Sequence, residues 1–494
     1  MSTIVEQPIH ATSIRQGLEQ FAALPDWLIA ATDPETFCAA LTRAVPELVA
    51  GGFAITECDV GHVRIKRDVW IGVYELTMSQ PQSDQPRTIA LRGTIIPPTQ
   101  PEPDLAREDG SRAQPAFGAE GWRTYLPALR VQLELRPADT ALPSLPILTD
   151  PEQARTLLEQ SIRAAAPNYQ DLRIESCVPK IMRYTPGSRC TILYRLTYPD
   201  GVSEGRGWPE LVVAKTYKGG KGKHAYAGMR ALWESPFREH GDVTLAEPLA
   251  YLPELNVLVQ GPIREEQTLQ ELIASAVRTN TPAAIDELYG FVRRTAAGLA
   301  GLHSSEVRFG DLRTWEDELA EVRGVVDNIA SAVPSVATAA EPLLARLEAL
   351  AAQHPADPIM TIHGTFRPGQ ALIYQGQIGF IDFDSFCQGE PALDLSLFLR
   401  RTKDIALGAL DQDGITLDDA TRAGLLAQAD AICEVFLSEY ERHVPISRPR
   451  VALWETLDLL TLVLHSWTKV KPERLKNAMF TLEQHLRGIG IFQG

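Results

Sequence analysis

The sequence lacks the features that mark membrane, secreted and zinc-finger proteins. No stretch approaches about 18 uninterrupted apolar residues, so no membrane span is expected. The N-terminus has no basic start followed by an apolar run, so a secretory signal is not expected either. The six cysteines form no C-x-x-C pair, and the ten histidines show no metal-binding spacing such as H-E-x-x-H. We therefore expect a cytoplasmic protein with reduced thiols and no structural zinc site.

The sequence also has little positive charge for its size. It has 47 Lys and Arg against 63 Asp and Glu, a net charge of −16 over 494 residues. Such a chain would not bind a phosphate backbone non-specifically, so we expect no nucleic-acid partner, although a small anionic ligand in a focused site is not excluded. The remaining composition, 45% hydrophobic and 22% charged, is typical of globular protein. The length predicts about two to four domains.

The amino-acid composition changes along the chain. It predicts two loops in the N-terminal part and mainly helices in the C-terminal part. Residues 96–122 are rich in Pro, Gly and charge and predict a long surface loop, and 79–88 predict a shorter loop between two strands. From about residue 282, apolar residues recur at helical spacing. Further helices are expected at 314–352, 417–441 and 449–469. One β-like stretch, 371–384, interrupts this helical part.

Two segments of the N-terminal half share the same landmarks in the same order. Residues 55–78 and 174–201 both contain Ile, an acid, Cys, an Arg six positions later, a polar turn and a Tyr-x-Leu-Thr strand. An Ala- and Leu-rich helix beginning Asp-Pro-Glu precedes each segment, and Tyr-Leu-Pro-x-Leu follows each. We interpret this as a duplicated unit of a helix and an antiparallel sheet. The paired landmarks are Cys58/Cys177, Tyr74/Tyr194 and Tyr125/Tyr251.

The strongest motif lies at 361–399, TIHGTFRPGQALIYQGQIGFIDFDSFCQGEPALDLSLFL. It resembles the catalytic segment of the aminoglycoside phosphotransferase and choline kinase-like families, which are relatives of the protein kinases. In those families H-G-D-x-x-x-x-N/Q is followed by a hairpin, by I-D-F/W-x and by G-D-P-x-x-D-L. The counterparts here are His363-Gly364-Thr365, Gln370, Ile381-Asp382-Phe383-Asp384, Gly389-Glu390-Pro391 and Asp394-Leu395. Several motifs in the expected order are far more specific than any one of them.

A lysine upstream resembles the family's nucleotide-binding lysine. Lys215 stands in the apolar strand-like run LVVAKTY, and an inward lysine on such a strand needs an anionic partner. The resemblance implies that Lys215 holds the α- and β-phosphates of a nucleotide. Glu234, in the helical segment MRALWESPF, is a candidate partner for this lysine. The alternative is a glutamate that faces solvent.

The segment MRYTPGSRC (182–190) lies where the family's phosphate-covering loop is expected. Gly187 is its one glycine, so backbone cradling of phosphates would be weaker than in a glycine-rich loop. Arg183 and Arg189 either add positive charge there or face solvent.

The segment NVLVQGP (256–262) resembles the hinge that binds adenine. Because Pro262 lacks an N–H, the resemblance leaves Gln260 and Gly261 as the expected nucleotide-binding residues.

The resemblance also implies a magnesium site and the residues that support it. Asp382 matches the acid that chelates Mg²⁺, and Gln370 matches the metal-binding amide. Asp384 is expected to reach the same metal, because residues i and i+2 share one face of a strand. His363 and Asp394 match structural residues, with Asp394 bracing the catalytic loop.

The sequence departs from the family at the position of the catalytic base. Thr365 replaces the Asp that accepts the proton of the substrate hydroxyl, and a threonine hydroxyl is no general base at pH 7. Arg367, two residues on, adds positive charge nearby. A general base typically contributes about 10²–10⁴-fold. Both a weak kinase and a non-catalytic nucleotide-binding protein therefore stay open.

The predicted fold is α+β and of the bilobal protein kinase-like type, with an antiparallel-sheet small lobe, a helical large lobe and an N-terminal domain resembling the small lobe. We expect the N-terminal domain at 1–145, the small lobe at 146–262 and the large lobe at 263–494. In the first copy the position of Lys215 falls near Arg92-Gly93. Residues 1–145 are therefore expected to be a cap, or a docking domain for a protein partner, rather than a second nucleotide site.

Two functions from different classes follow. The first is an ATP- and Mg²⁺-dependent phosphotransferase that acts on a hydroxyl of an unidentified small molecule and is weakened by Thr365. The second is a pseudokinase, a nucleotide-binding regulatory or scaffold protein without phosphoryl transfer. Acids from the helical lobe would suit a cationic acceptor, or they form a solvated face. These acids are Glu316, Asp317, Glu318 and Glu390.

Overall fold

The computed structural model describes residues 8–80, 83–103, 115–136, 141–240, 243–410 and 417–491. The chain divides into two compact units, each assembled from separated stretches of sequence. Unit 1 comprises Met1–Ala138, Trp315–Gln353 and Thr456–Gly494, and unit 2 comprises Asp139–Thr314 and His354–Glu455. The division into three continuous domains stays a prediction.

Unit 1 is built on one antiparallel sheet. Its strands are β1 (Ala54–Lys66), β2 (Val69–Gln80), β3 (Ser83–Ile95), β4 (Arg123–Leu126) and β5 (Val131–Leu135). Its helices are Pro8–Phe21, Asp26–Thr32, Pro34–Ala44, Pro46–Val49, Trp315–Ala330, Ser335–Gln353 and Pro472–Gly488. The fully buried rings of Phe37 and Tyr74 stack with centroids 4.0 Å apart and join the third helix to the sheet.

Unit 2 has one large sheet, two small sheets and most of the remaining helices. Its strands are β6 (Ser176–Thr185), β7 (Arg189–Thr197), β8 (Leu211–Tyr217), β9 (Thr244–Leu245), β10 (Pro248–Leu252), β11 (Val257–Gln260), β12 (Gln267–Thr268), β13 (Leu312–Arg313), β14 (Met360–Ile362), β15 (Ala371–Tyr374), β16 (Gln377–Phe380) and β17 (Cys387–Gly389). Its helices are Leu145–Thr149, Pro151–Ala165, Lys221–Trp233, Leu269–Thr279, Pro282–His303, Pro391–Gly408 and Asp419–Glu441, and Arg448–Lys469 begins in unit 2 and ends in unit 1. The predicted α+β class is confirmed.

Two predicted boundaries need correction. The loop expected at 79–88 is shorter, because β2 continues to Gln80 and β3 begins at Ser83, and these two residues pair across the ladder. Residues 81–82, and 104–114 of the loop expected at 96–122, lie outside the described residues. The β-like stretch expected at 371–384 ends at Phe380, with a short 3₁₀ turn from Phe383 to Ser385. Among the described residues, no helix combines the length and the apolar character needed to span a membrane.

The sheet of unit 1 and the large sheet of unit 2 have the same strand order. In unit 1 the order is β1-β2-β3-β5-β4, and in unit 2 it is β6-β7-β8-β11-β10. All neighbours are antiparallel in both sheets. The order of strands is what a duplicated unit would have.

Equivalent tyrosines anchor the two sheets to their preceding helices. The Tyr74 hydroxyl donates to the Ala31 carbonyl at 2.9 Å, and the Tyr194 hydroxyl donates to the Leu148 carbonyl at 2.8 Å. Each carbonyl lies two residues before an aspartate, Asp33 or Asp150, that caps a helix starting with proline. The landmarks that the sequence paired therefore make the same hydrogen bond in both units.

The strand registers also identify the counterpart of Lys215. In unit 2, Lys215 pairs with Thr191 and Leu258, and Leu258 pairs with Tyr251. At the same register in unit 1, Thr94 pairs with Ile71 and Gln132. The counterpart is thus Thr94 rather than Arg92 or Gly93, and it carries no charge with which to hold a phosphate.

We expect Tyr74→Phe and Tyr194→Phe each to lower the free energy of unfolding by about 1–2 kcal/mol, because each leaves a buried carbonyl without its partner. Equilibrium urea unfolding measures this loss. Tyr198→Phe is the matched control, since its hydroxyl bonds the Pro209 carbonyl in a half-buried place that water can reach. A loss in the control as large as in the two anchors would contradict the argument.

Candidate active site

Lys215 finds its anionic partner in two carboxylates. On β8 the alternate residues Val212 and Ala214 are buried, which places Lys215 on the opposite face, with 14% of its side chain exposed. Its Nζ lies 3.1 Å from Asp382 Oδ1 and 3.6 Å from Asp384 Oδ1. A largely buried ammonium needs such a counter-charge, and the residues after β16 supply it.

Glu234 is not the partner of this lysine. It caps the C-terminus of the helix Lys221–Trp233, its side chain is 60% exposed, and it forms an ion pair with Arg230 one turn earlier. Of the two alternatives drawn from the sequence, the structure shows the solvated glutamate. The reason is local: at spacing i, i+4 Arg230 lies on the same helix face.

Asp382 and Asp384 are close together, but not for the reason that the sequence suggested. They do not share the face of a strand, because Asp382 has a left-handed backbone (φ 74°) and leads into the 3₁₀ turn Phe383–Ser385. This turn, rather than strand alternation, brings both carboxylates to Lys215. A non-glycine residue in the left-handed region is uncommon and is enriched at functional sites.

Asp382 is the centre of the polar contacts. Besides Lys215, it accepts a hydrogen bond from Gln370 Nε2 at 3.2 Å, and Arg367 Nη2 lies 3.8 Å from its Oδ2. Burial raises the pKa of Asp382, but the charge and hydrogen bond of Lys215 outweigh it, so that the pKa lies below its usual range. The carboxylate is therefore ionised at neutral pH and available to a cation.

The residues that would hold a magnesium ion fit one. Gln370 is buried, and its Oε1 has no hydrogen-bond partner among the described residues. With the carboxylates of Asp382 and Asp384 it forms a set of hard oxygen donors. No group of three or more His, Cys, Asp and Glu side chains suited to a metal occurs in the part of the chain that the structure describes. Mg²⁺ is usually held by one or two carboxylates plus substrate phosphates, so the donor set suits it.

Tyr217 is a site residue that the sequence analysis missed. Its hydroxyl donates to Asp384 Oδ1 at 2.8 Å, while Arg189 Nη1 lies 3.7 Å from Asp384 Oδ2. Burial, followed by the charge of Asp384, raises the pKa of Tyr217, so the phenol keeps its proton and donates. Its place two residues after Lys215, on the same face of β8, is the signal that could have found it.

These residues border a cleft of about 420 Å³ within unit 2. Its lining comprises Arg183, Thr185, Ser188, Arg189, Tyr217, Lys218, Lys221, Thr365, Arg367, Asp382, Asp384 and Ser385. Thr365 thus lies in the same cleft as both carboxylates. The group at the position of the family's base is a neutral hydroxyl.

Arg367 is surrounded by like charges. Burial lowers its pKa; Asp382 opposes this, whereas the positive charges of Arg401, Arg183 and Arg189 lower the pKa further. A guanidinium stays protonated in proteins nonetheless. The cleft therefore has a concentration of positive charge beside Thr365.

Asp394 holds the catalytic loop from beneath. It is fully buried and accepts hydrogen bonds from the backbone N–H groups of His363 at 2.7 Å and Phe366 at 3.0 Å. His303 Nε2 lies 3.2 Å from Asp394 Oδ2, and His303 Nδ1 lies 2.6 Å from the Tyr440 hydroxyl. The structure thus adds His303 and Tyr440, both missed from the sequence, to this support.

The buried ring of His363 packs against Phe366 and Phe383 and does not line the cleft. Its Nε2 lies 2.9 Å from the Ile381 carbonyl, which ties the loop to the residue before Asp382. Burial lowers the pKa of His363 despite the nearby carboxylates, so the ring is neutral and donates to that carbonyl. The structural role that the resemblance implies for His363 stays a prediction.

The predicted nucleotide-binding residues outside the cleft have other contacts. Gln260 is buried in β11, and the Gly261 N–H donates to the Glu247 carbonyl at 2.7 Å. Neither is among the residues that line the cleft, and their role in binding adenine stays a prediction. Gly187 lies in the turn between β6 and β7 with φ 70°, which explains why a glycine stands there.

The acids proposed for a cationic acceptor are placed differently. Glu390 is buried and forms two hydrogen bonds with Arg450, at 2.7 and 2.6 Å, so it faces no groove. Its partner stands 60 residues away, which sequence spacing could not reveal. Glu316, Asp317 and Glu318 form the first turn of the helix Trp315–Ala330 in unit 1.

Part of the chain is similar to a known protein family. Residues 238–431 match the family model described as the phosphotransferase enzyme family. This match includes the motif at 361–399 and confirms, over that part of the chain, the predicted resemblance to the phosphotransferase family. It covers 194 of the 494 residues. No curated protein matches the chain.

The solved structures that are similar to the chain include three small-molecule kinases. One is a glucosamine kinase in complex with glucosamine, ADP and inorganic phosphate, at 15% identity, covering 91% of this chain and 99% of that chain, with a TM-score of 0.43. A choline kinase from Cryptosporidium parvum has 13% identity, 69% and 98% coverage and a TM-score of 0.46. An aminoglycoside phosphotransferase from Streptomyces rimosus has 16% identity, 57% and 92% coverage and a TM-score of 0.36. The antiparallel sheets and the many helices of the structure agree with the predicted protein kinase-like fold.

Proposed function

We propose that the cleft of unit 2 binds ATP with Mg²⁺ and transfers the γ-phosphoryl group slowly to a hydroxyl of a small molecule. The observation that carries this proposal is the cluster of Lys215, Asp382 and Gln370, in which an ion pair, an ionised carboxylate and an unpartnered amide oxygen lie together. Phosphoryl transfer needs mainly positioning and charge neutralisation, which such a cluster supplies.

Each residue has a part in this reaction. Lys215 and Arg189 bind phosphate oxygens, while Gln370, Asp382 and Asp384 hold the cation. When bound, Mg²⁺ neutralises the charge that develops on the phosphates. In the transfer the acceptor oxygen forms a bond to the γ-phosphorus, the bond to the bridging oxygen breaks and ADP leaves. The proton of the acceptor is left to water, to Asp384 or to the substrate itself.

The second candidate is a pseudokinase that binds nucleotide without transfer. Thr365 favours it, because a neutral hydroxyl stands in the cleft where the resemblance expects a base, with Arg367 close by. A role of residues 1–145 in binding a protein partner and a cytoplasmic location stay predictions from the sequence. The two candidates share the nucleotide site and differ only in turnover.

A nucleotide titration with and without Mg²⁺, followed by γ-phosphate release, tests the proposal. We expect ATP to raise the Tm of the full chain, with a larger shift when Mg²⁺ is present. Release of γ-phosphate above the rate of a no-enzyme control would favour the phosphotransferase, and binding without release would favour the pseudokinase. Absence of any shift at millimolar Mg-ATP would refute both candidates.

A further inference from the structure

The cleft is strongly cationic although the chain is acidic. Its lining contains Arg183, Arg189, Lys218, Lys221 and Arg367, and Lys215 contacts its acids. Only two lining residues, Asp382 and Asp384, carry negative charge. In a chain of net charge −16, a local excess of four positive charges marks a site for anions.

Several of these cations lack a close carboxylate. Among the described residues, Arg183 forms no ion pair, and the nearest carboxylate to Arg367 is 3.8 Å away, beyond hydrogen-bond distance. Lys215, in contrast, lies 3.1 Å from Asp382 Oδ1, where the proposed function places the nucleotide. Arg367, the cation of the candidate catalytic loop, makes only a long ion pair of 3.8 Å, so its guanidinium is available to a further ligand.

Bound Mg-ATP would not neutralise all the positive charge of the cleft. It carries a net charge of about −2, so an excess of positive charge persists when it is bound. The family's aspartate would reduce this excess, but Thr365 removes that charge. A cationic acceptor such as an aminoglycoside would be repelled here, and Glu390 offers it nothing because it is paired with Arg450.

We propose that the acceptor is an anionic small molecule, one that carries a phosphate or carboxylate group, and that Arg367 binds this group beside Thr365. The inference rests on the proposed function, because it assigns the acceptor of the same cleft. A guanidinium suits the role, since its planar fork binds both anions through two parallel hydrogen bonds. Arg367 and Thr365 line the same cleft, so an acceptor held by Arg367 lies in the cleft that contains the position of the missing base.

Inorganic phosphate, the smallest form of such a group, tests the proposal. Isothermal titration and thermal shift follow phosphate binding to the full chain saturated with Mg²⁺ and a non-hydrolysable ATP analogue, so that the nucleotide's own phosphate sites are filled. We expect saturable binding that weakens at least tenfold in both Arg367→Ala and Arg367→Gln. Arg293→Ala, at an exposed helix position, is the matched control and should change nothing.

Four results would overturn the assignment, and the last of them also removes the proposed function. If the analogue binds but phosphate does not, or if phosphate binding is the same in both Arg367 variants, the acceptor is not held as proposed, while the nucleotide site stands. If ethanolamine, which is a cation, binds more tightly than phosphate, the site prefers a cationic acceptor and the proposal is wrong. If the analogue itself gives no stabilisation, the proposed function fails and this inference with it.

Discussion

Asp382→Ala is expected to abolish the stabilisation of the protein by Mg-ATP. With free ligand at a hundred times its Kd, linkage predicts about 2.7 kcal/mol for the wild type. The substitution removes the carboxylate that contacts Lys215 and accepts from Gln370, and it removes a ligand of the proposed cation. The expected stabilisation of the variant at the same concentrations is close to zero.

The measurement is the Tm with and without ligand for each variant, because the loss of a buried partner also lowers the stability of the free protein. Asp419→Ala is a suitable control, since that aspartate is 82% exposed and its one ion pair among the described residues is with Arg422, one turn on. Stabilisation that persists undiminished in Asp382→Ala would place the nucleotide elsewhere in the chain.

The order of the site residues was predictable from the sequence, but the contacts among them were not. The catalytic segment fixes the spacing of His363, Gln370 and Asp382 within one stretch of chain. The need of Lys215 for an anion also followed from its strand, yet that anion lies 167 residues away. Such a pairing depends on how the chain folds back, and no local pattern encodes it.

Backbone conformation explains the error at Asp384. Alternation on a strand was a reasonable argument for the two acids, but it fails at the first residue with positive φ, and Asp382 is such a residue. Nothing in I-D-F-D marks a left-handed residue, because aspartate adopts several conformations. The hydrogen bond from the Gly261 N–H to the Glu247 carbonyl could not be predicted for a similar reason, since Glu247 lies in a segment with no motif.

The repeated sheet could be predicted from the sequence because each landmark determines structure close to it in the chain. A capping aspartate before proline, a buried tyrosine and a Tyr-Leu-Pro-x-Leu segment each fix a nearby piece of structure, so their order predicts the order of strands. The sequence did not predict which segments of the chain make up unit 1. The helices Trp315–Ala330 and Ser335–Gln353 come from a distant part of the chain, and nothing in their sequences indicates which elements they pack against.

Thr365→Asp is expected to raise the rate of phosphoryl transfer by about 10²–10⁴-fold, the usual contribution of a general base. Phosphoryl transfer by the wild type is expected to be slow, because the threonine hydroxyl cannot take the proton from the hydroxyl group of the substrate. A carboxylate at this position would stand in the cleft with Asp382 and Asp384 and near Arg367, whose charge would help to keep it ionised. ADP formation, measured against a panel of anionic, neutral and cationic hydroxyl compounds, reports the change.

Thr365→Asn is the matched control, since it is close in size to the aspartate variant and adds no charge or base. A gain in Thr365→Asp that Thr365→Asn lacks would assign the effect to the carboxylate. A wild type that already turns over at about 1–100 s⁻¹, as kinases do, would show that the base lies elsewhere and would end the pseudokinase alternative. If Thr365→Asp gains nothing while Mg-ATP still binds, the acceptor site is lost as well. The protein would then act by binding nucleotide, because a restored base has no hydroxyl to activate.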